Sequence, residues 1–274
     1  MTKPKLVVAV AVLGLSLLFP AVASAQDALR IDGSSGVKPL AKALGKAFAE
    51  SPGGMAVEVG KGLGTKARLM ALEEGKIDIA TASHGADPAV LAKRGMTVHT
   101  IAKIAVVFGV NSGISVDNLT GAQICDIYSG KVTNWKTFGG SDLVIQPRTR
   151  PDKEVDAAIM RKGIPCLTNL RMAASVKVNK KSGQMAKDLA ATAGAIGMTT
   201  TTRVRRSKGK VKALNYNGVA PTVLNVEGGT YPFTREAYLV TKADPSAKVR
   251  AFLDFVKSAE GGEVLKANDA IPVK

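Results

Sequence analysis

Two strand–glycine turn–helix units in close succession constrain this chain more than any other feature of it. In the first, the apolar run Ala28 to Ile31 reads as a strand and Gly33-Ser34-Ser35-Gly36 as a tight turn. Leu40, Leu44, Ala47 and Phe48 then recur at helical spacing, which predicts a helix capped by Ser34 or Ser35. In the second, Met55 to Val59 is a strand, Gly60-Lys61-Gly62-Leu63-Gly64-Thr65 a glycine-rich turn, and Lys66 to about Glu74 a helix closed by Gly75. Ile77 to Ala80 follows as a strand ending at Thr81-Ala82-Ser83. Strands alternating with helices predict a parallel sheet with helices on its faces, and ligands of such sheets bind beyond the carboxyl ends of the strands. The first turn of a helix carries free N–H groups and partial positive charge, so residues 33–36 suit an anion. A plain serine-capped helix is the other reading of that stretch alone.

Residues 1–25 stand apart. Lys3 and Lys5, an apolar core from Leu6 to Phe19 and Ala23-Ser24-Ala25 have the form of a secretory leader. The mature chain then begins at Gln26 and is periplasmic or secreted. Cys125 and Cys166 are the only cysteines. Two thiols in an exported chain point to a disulfide, with two separate buried thiols as the alternative. His84 and His99 lack a ligand-spaced cluster, so we expect no metal and no cofactor, and read each as a surface or capping histidine.

The formal net charge is +16, and it is unevenly spread. Residues 109–217 carry 18 basic and 7 acidic side chains, whereas residues 218–274 carry 7 of each. This imbalance suggests a separate, strongly positive middle lobe that attracts anions. Thr97 to Val110 is a long β-branched run, read as the strand that leaves the first lobe. Pro151 is placed at the first position of a helix running to about Arg161. Arg203, Arg205, Arg206, Lys208, Lys210 and Lys212 are read as a β-hairpin turning at Ser207-Lys208-Gly209, with its cations on the solvated side. Aromatic residues make up 4% of the chain, too few for base-stacking platforms, so no nucleic-acid partner is expected. Val211 to Leu214 and Val219 to Thr222 are expected to carry the chain back to the first lobe. The organisation expected is residues 26–108 with 218–274 as lobe 1 and 109–217 as lobe 2.

Several stretches, in this order, are similar to those of the periplasmic phosphate-binding proteins of ABC importers. They are Asp32-Gly33-Ser34-Ser35-Gly36, Gly62-Leu63-Gly64-Thr65, Gly75 to Ala80, Ile127 to Trp135, Gly194 to Thr199, Gly229 to Pro232 and Phe252 to Ser258. The resemblance spans nearly the whole chain after the leader. It implies the α/β type II solute-binding fold: two lobes, each a mainly parallel sheet flanked by helices, two hinge crossings, and an anion in the cleft. It also implies ligand contacts from Ser34, Ser35, Gly36, Gly64, Thr65 and Ser83, and from a second-lobe arginine, Arg150 or Arg148. The sequence departs from the family where a Ser-Gly-Thr run is usual: Lys153-Glu154-Val155 stands there. Lys153 is the candidate replacement charge. Gly36 stands where many relatives have threonine, and Ser83 near where some carry a carboxylate.

The resulting expectation is a monomeric, non-enzymatic solute-binding protein that takes a small inorganic oxyanion, phosphate first, to an ABC permease in the inner membrane. Sulfate or molybdate are alternatives. An interaction protein with a degenerate cleft, working through its basic second lobe, is the rival from another class. An enzyme is disfavoured because neither histidine has a recognisable nucleophile motif.

Overall fold

A computed structural model describes residues 28–273, so the leader lies outside the described residues. The chain begins as β1 (Leu29–Gly33), α1 (Lys38–Glu50), β2 (Val57–Val59), α2 (Thr65–Glu73), β3 (Ile79–Ala82), α3 (Pro88–Ala92) and the long β4 (Met96–Asn111). It continues through β5 (Asn118–Leu119), α4 (Gly121–Ser129), β6 (Gln146–Thr149), α5 (Val155–Gly163), β7 (Lys177–Val178), α6 (Ser182–Ala191) and β8 (Ala195–Thr200). Then come α7 (Thr201–Arg205), β9 (Val211–Ala213), β10 (Asn215–Tyr216) and α8 (Val223–Glu227). The last elements are β11 (Thr234–Lys242), α9 (Ala247–Lys257), α10 (Ala259–Lys266) and β12 (Ile271–Pro272). Among the described residues no helix is long and apolar enough to cross a membrane.

The sheet order is β2-β1-β3-β11-β4-β8-β6-β7. Pairing is parallel around β1 and around β6 and antiparallel at β11 and β4. β4 joins the two halves. Met96 to Ala105 pair with β11, and Val106 to Val110 pair with β8. The glycine-turn units therefore do build a parallel sheet, and the fold is the expected two-lobe α/β architecture. Leu29, Leu40, Leu44 and Phe48 pack with Phe252 and Val256 in one core. Phe108, Tyr128, Trp135 and Met198 lie in another.

The return to the first lobe comes later than the sequence suggests. Val226, Tyr231 and Phe233 belong to the core around Phe108 and Tyr128, and the Tyr231 hydroxyl donates to the Val106 carbonyl at 3.0 Å. Large apolar side chains follow the core that buries them, so the polar turns after residue 218 remain attached there. The chain crosses back at Phe233–Thr234, beside the outward crossing: Val106 N–H donates to Phe233 O at 2.8 Å. A disulfide joins Cys125 in α4 to Cys166, with Cα atoms 6.2 Å apart. It closes a 41-residue separation inside the second lobe.

Candidate functional site

Asp32, at the end of β1, fixes the first-lobe rim. Its Oδ1 accepts the Gly33 N–H at 2.6 Å and the Gly62 N–H at 2.9 Å, tying both glycine turns together. A Cβ on Gly60 would lie 2.0 Å from Asp32 Oδ2, so only glycine admits this clamp. Neither serine caps α1. The Ser34 carbonyl accepts from Val37 and Lys38, and Val37 takes the N-cap position without a side-chain cap. The Ser34 hydroxyl instead receives the Gly36 N–H at 3.3 Å and lies 3.1 Å from the Ser83 hydroxyl, both side chains being buried. Gly64 is the N-cap of α2, which starts at Thr65, one residue before the sequence pattern places it. Thr65 Oγ1 lies 3.1 Å from His84 Nε2. His84 is not on the open surface. It is half-buried among Thr65, Ser83 and Arg68, and burial, followed by the charge of Arg68, lowers its pKa.

Three arginines that the sequence reading did not select converge on this rim. Arg68, on the buried face of α2, is 1% exposed and donates to the His84 carbonyl. Arg235, in β11, donates to the Gly36 carbonyl at 3.0 Å. A Cβ at Gly36 would come within 2.6 Å of the Arg235 guanidinium. The missing hydroxyl at Gly36 is thus the space that Arg235 uses. Arg203, in α7, reaches across from the second lobe to donate to the Ser35 carbonyl, which also accepts from Ser182 Oγ at 3.2 Å. Burial pushes the Arg68 and Arg203 guanidinium groups down to about 10. Residues 201–205 are helical rather than one arm of a hairpin, and this turns Arg203 inward.

The second-lobe rim is charged. Pro151 does not open a helix. Pro151 to Glu154 form a turn closed by Glu154 N–H on Pro151 O at 2.9 Å, and α5 starts at Val155. Arg150 is buried, and its guanidinium donates to Asn179 O at 2.9 Å and Glu154 Oε2 at 2.7 Å. Arg148 is committed to the lobe interior through Asp188 (2.7 Å) and Pro147 O (3.3 Å). Lys153 is exposed and forms no ion pair with the described residues. Asp156, in the first turn of α5, lies 3.1 Å from the Arg235 guanidinium, and both side chains are 2% exposed. This contact is a charge pair rather than an aligned hydrogen bond, since Asp156 Oδ1 has no donor. Arg68, Arg150, Arg203 and Arg235 each retain a buried Nε–H with no acceptor among the described residues.

A PBP superfamily domain matches residues 20–260 of the chain. The chain belongs to the PBP superfamily. Among curated relatives, the phosphate-binding protein PstS of Bacillus subtilis (strain 168) is 29% identical over 237 residues, covering 86% of this chain and 77% of that protein. A Clostridium perfringens protein assigned to phosphate ABC transport as a substrate-binding protein, and solved with bound phosphate, superposes with a TM-score of 0.75. It is 26% identical and is covered over its whole length by 90% of this chain. The periplasmic molybdate-binding protein of Azotobacter vinelandii shares the fold alone, at 14% identity and a TM-score of 0.64, with 90% of this chain covering all of it. A PBP superfamily member is a solute-binding protein, which is the class that the site geometry also fits.

Proposed function

We propose that this protein is an exported substrate-binding component of ABC-type import that closes on a small oxyanion, phosphate foremost. The observation that carries the reading is that Arg68, Arg150, Arg203 and Arg235 each hold a buried Nε–H without an acceptor among the described residues, while Arg68, Arg203 and Arg235 donate to backbone carbonyls of the turns that carry the Ser34 and Ser83 hydroxyls. Buried donors without partners cost free energy, and a bound oxyanion supplies acceptors to several at once. Four guanidinium groups against Glu154 and Asp156 leave two positive charges, a match for a dianion. The phosphate-binding relatives support the same ligand class.

The ligand-binding set in this reading is Ser34, Ser35, Gly36, Gly64, Thr65, Ser83 and Arg150, extended by Arg68, Arg203 and Arg235. Arg148 and Lys153 drop out of direct contact. Lobe 2 extends from about Val106 to Phe233, and closure about the paired crossings brings the two rims together. The protein acts as a monomer in the periplasm after loss of its leader, and passes the ion to an inner-membrane permease. Isothermal titration of ligand-stripped protein with phosphate, sulfate and molybdate tests this. Saturable heat with phosphate is expected, and silence with all three anions removes the reading.

One observation favours the rival, an interaction protein with a degenerate cleft. Asp156 and Glu154 already place carboxylates against Arg235 and Arg150. Under that reading the same titrations stay silent, and Asp156→Asn does not restore binding.

A further inference from the structure

Outside the cleft, the two lobes enclose a groove of about 1040 Å3. Six lysines and two arginines line it, among them Lys38 and Lys42 on α1, Lys181 and Lys187 at α6, and Arg203 and Arg206 at α7. Its one acidic residue, Asp188, is held by Arg148 Nε at 2.7 Å. None of the eight groove cations forms an ion pair with any described residue. Elsewhere on the molecule, charges are commonly matched locally, as in Lys46 with Glu50 or Lys136 with Asp142. Here the cations face one another. Burial lowers the Lys38 pKa, and Lys42, Arg203 and Lys181 add to the effect.

Uncompensated like charge in a concave site raises the local potential and concentrates polyanions. A single oxyanion neutralises at most two of these eight charges. The volume lies at the upper end of that for drug-sized ligands, on the order of 300–1,000 Å3, so the groove suits something larger than orthophosphate. Lysine ammonium groups on flexible stems follow irregularly placed phosphoryl oxygens, whereas planar recognition would call for arginine. No aromatic side chain lines the groove, which removes the stacking that single-stranded nucleic acid relies on. Its concave form between two lobes suits a chain more than a flat lipid surface.

We propose that this groove binds a linear condensed phosphate, a short chain of phosphoryl groups laid across both lobes. The site is distinct from the oxyanion cleft, although Ser35 and Arg203 border both. Binding there bridges α1 to α6 and α7, and so favours closure.

The test uses protein recovered after export, titrated with sodium tripolyphosphate, with a longer polyphosphate and with orthophosphate. Sodium chloride holds ionic strength constant. Tripolyphosphate is expected to bind more tightly than orthophosphate, and the longer chain more tightly still, with affinity falling as salt rises. The double variant Lys42→Glu/Lys187→Glu changes two exposed side chains, and should weaken tripolyphosphate by about tenfold or more while leaving orthophosphate binding unchanged. An unchanged tripolyphosphate affinity in a variant that melts like the parent overturns the proposal. So does tripolyphosphate that binds no more tightly than orthophosphate, or tighter binding of single-stranded DNA or anionic-lipid vesicles through the same two lysines. Loss of orthophosphate binding alone would sink the cleft reading and leave the groove standing.

Discussion

The two rims of the cleft solve the same electrostatic problem with different materials. The first-lobe rim presents turns and small side chains, Ser34, Gly36, Thr65 and Ser83, locked by Asp32 and by one another, with the guanidinium groups of Arg68 and Arg235 held on the backbone carbonyls behind them. The second-lobe rim consists of opposed charges, Arg150 with Glu154 and Asp156 with the incoming Arg235. Neutral donors cost little when no anion is bound, because they satisfy each other. Buried arginines do not have that freedom, and removing one partner of a buried ion pair is far more damaging than the pair is stabilising. The charged rim therefore uses its carboxylates as internal counter-ions, and an anion entering the cleft must compete with them or add to them.

The largest test removes that counter-charge. Asp156→Ala should destabilise the ligand-free protein by about 3–5 kcal/mol in urea unfolding, by stranding Arg235. Added phosphate should recover more stability in this variant than in the parent. A loss below about 1 kcal/mol would mean that Asp156 is not the counter-ion. Next, Cys125→Ser/Cys166→Ser should cost about 2–4 kcal/mol through the loop it reopens. Faster hydrogen exchange should appear in α4 and the segment around Cys166 and not in α1 or α2. An effect spread evenly over both lobes would break the contrast.

Gly36→Ala should be milder, about 1–3 kcal/mol, since its Cβ meets the end of a long side chain. Its clearer effect should be weaker anion binding by calorimetry, as Arg235 is displaced from the first-lobe rim. The smallest effect concerns His84. Its depressed pKa means that the unfolded chain takes up a proton near the usual 6.5 while the folded protein resists. This contribution is present above that pH and is lost as the pH falls below it. His84→Gln should flatten the fall in stability between about pH 7 and pH 5. A residual slope should persist, because burial lowers His99 as well.

Much of the fold was legible because its signals are local. Glycine turns, β-branched runs and helical spacing declare themselves within ten residues, and β1 to β3 with their helices lie where that pattern puts them. The arginines of the cleft were not legible as a group, since residues 68, 203 and 235 meet only through the tertiary fold. Individually they did leave a trace. Arg235 shares the buried parity of β11 with Ala237 and Leu239, and Arg68 lies beside Leu69 and Leu72 on the inward face of α2. A charge on an apolar face is the signal to seek. The helix α5 starts at Val155 and not at Pro151 because proline fits the turn that precedes a helix as well as it fits a first helical turn. The crossing at Phe233–Thr234 leaves little local signal, because the residues between 218 and the aromatic anchors Tyr231 and Phe233 mix polar residues and glycines with apolar ones.

Those two crossings are neighbours, laced together where Val106 meets Phe233. Paired ribbons of this kind flex across their width more easily than they shear along their length. Under the proposed function, lobe closure would then follow a single swing about this pair of strands. If the protein serves a permease as proposed, that partner would have one variable to sense, the gape of the jaws, and could sort loaded from empty carriers without touching the cargo.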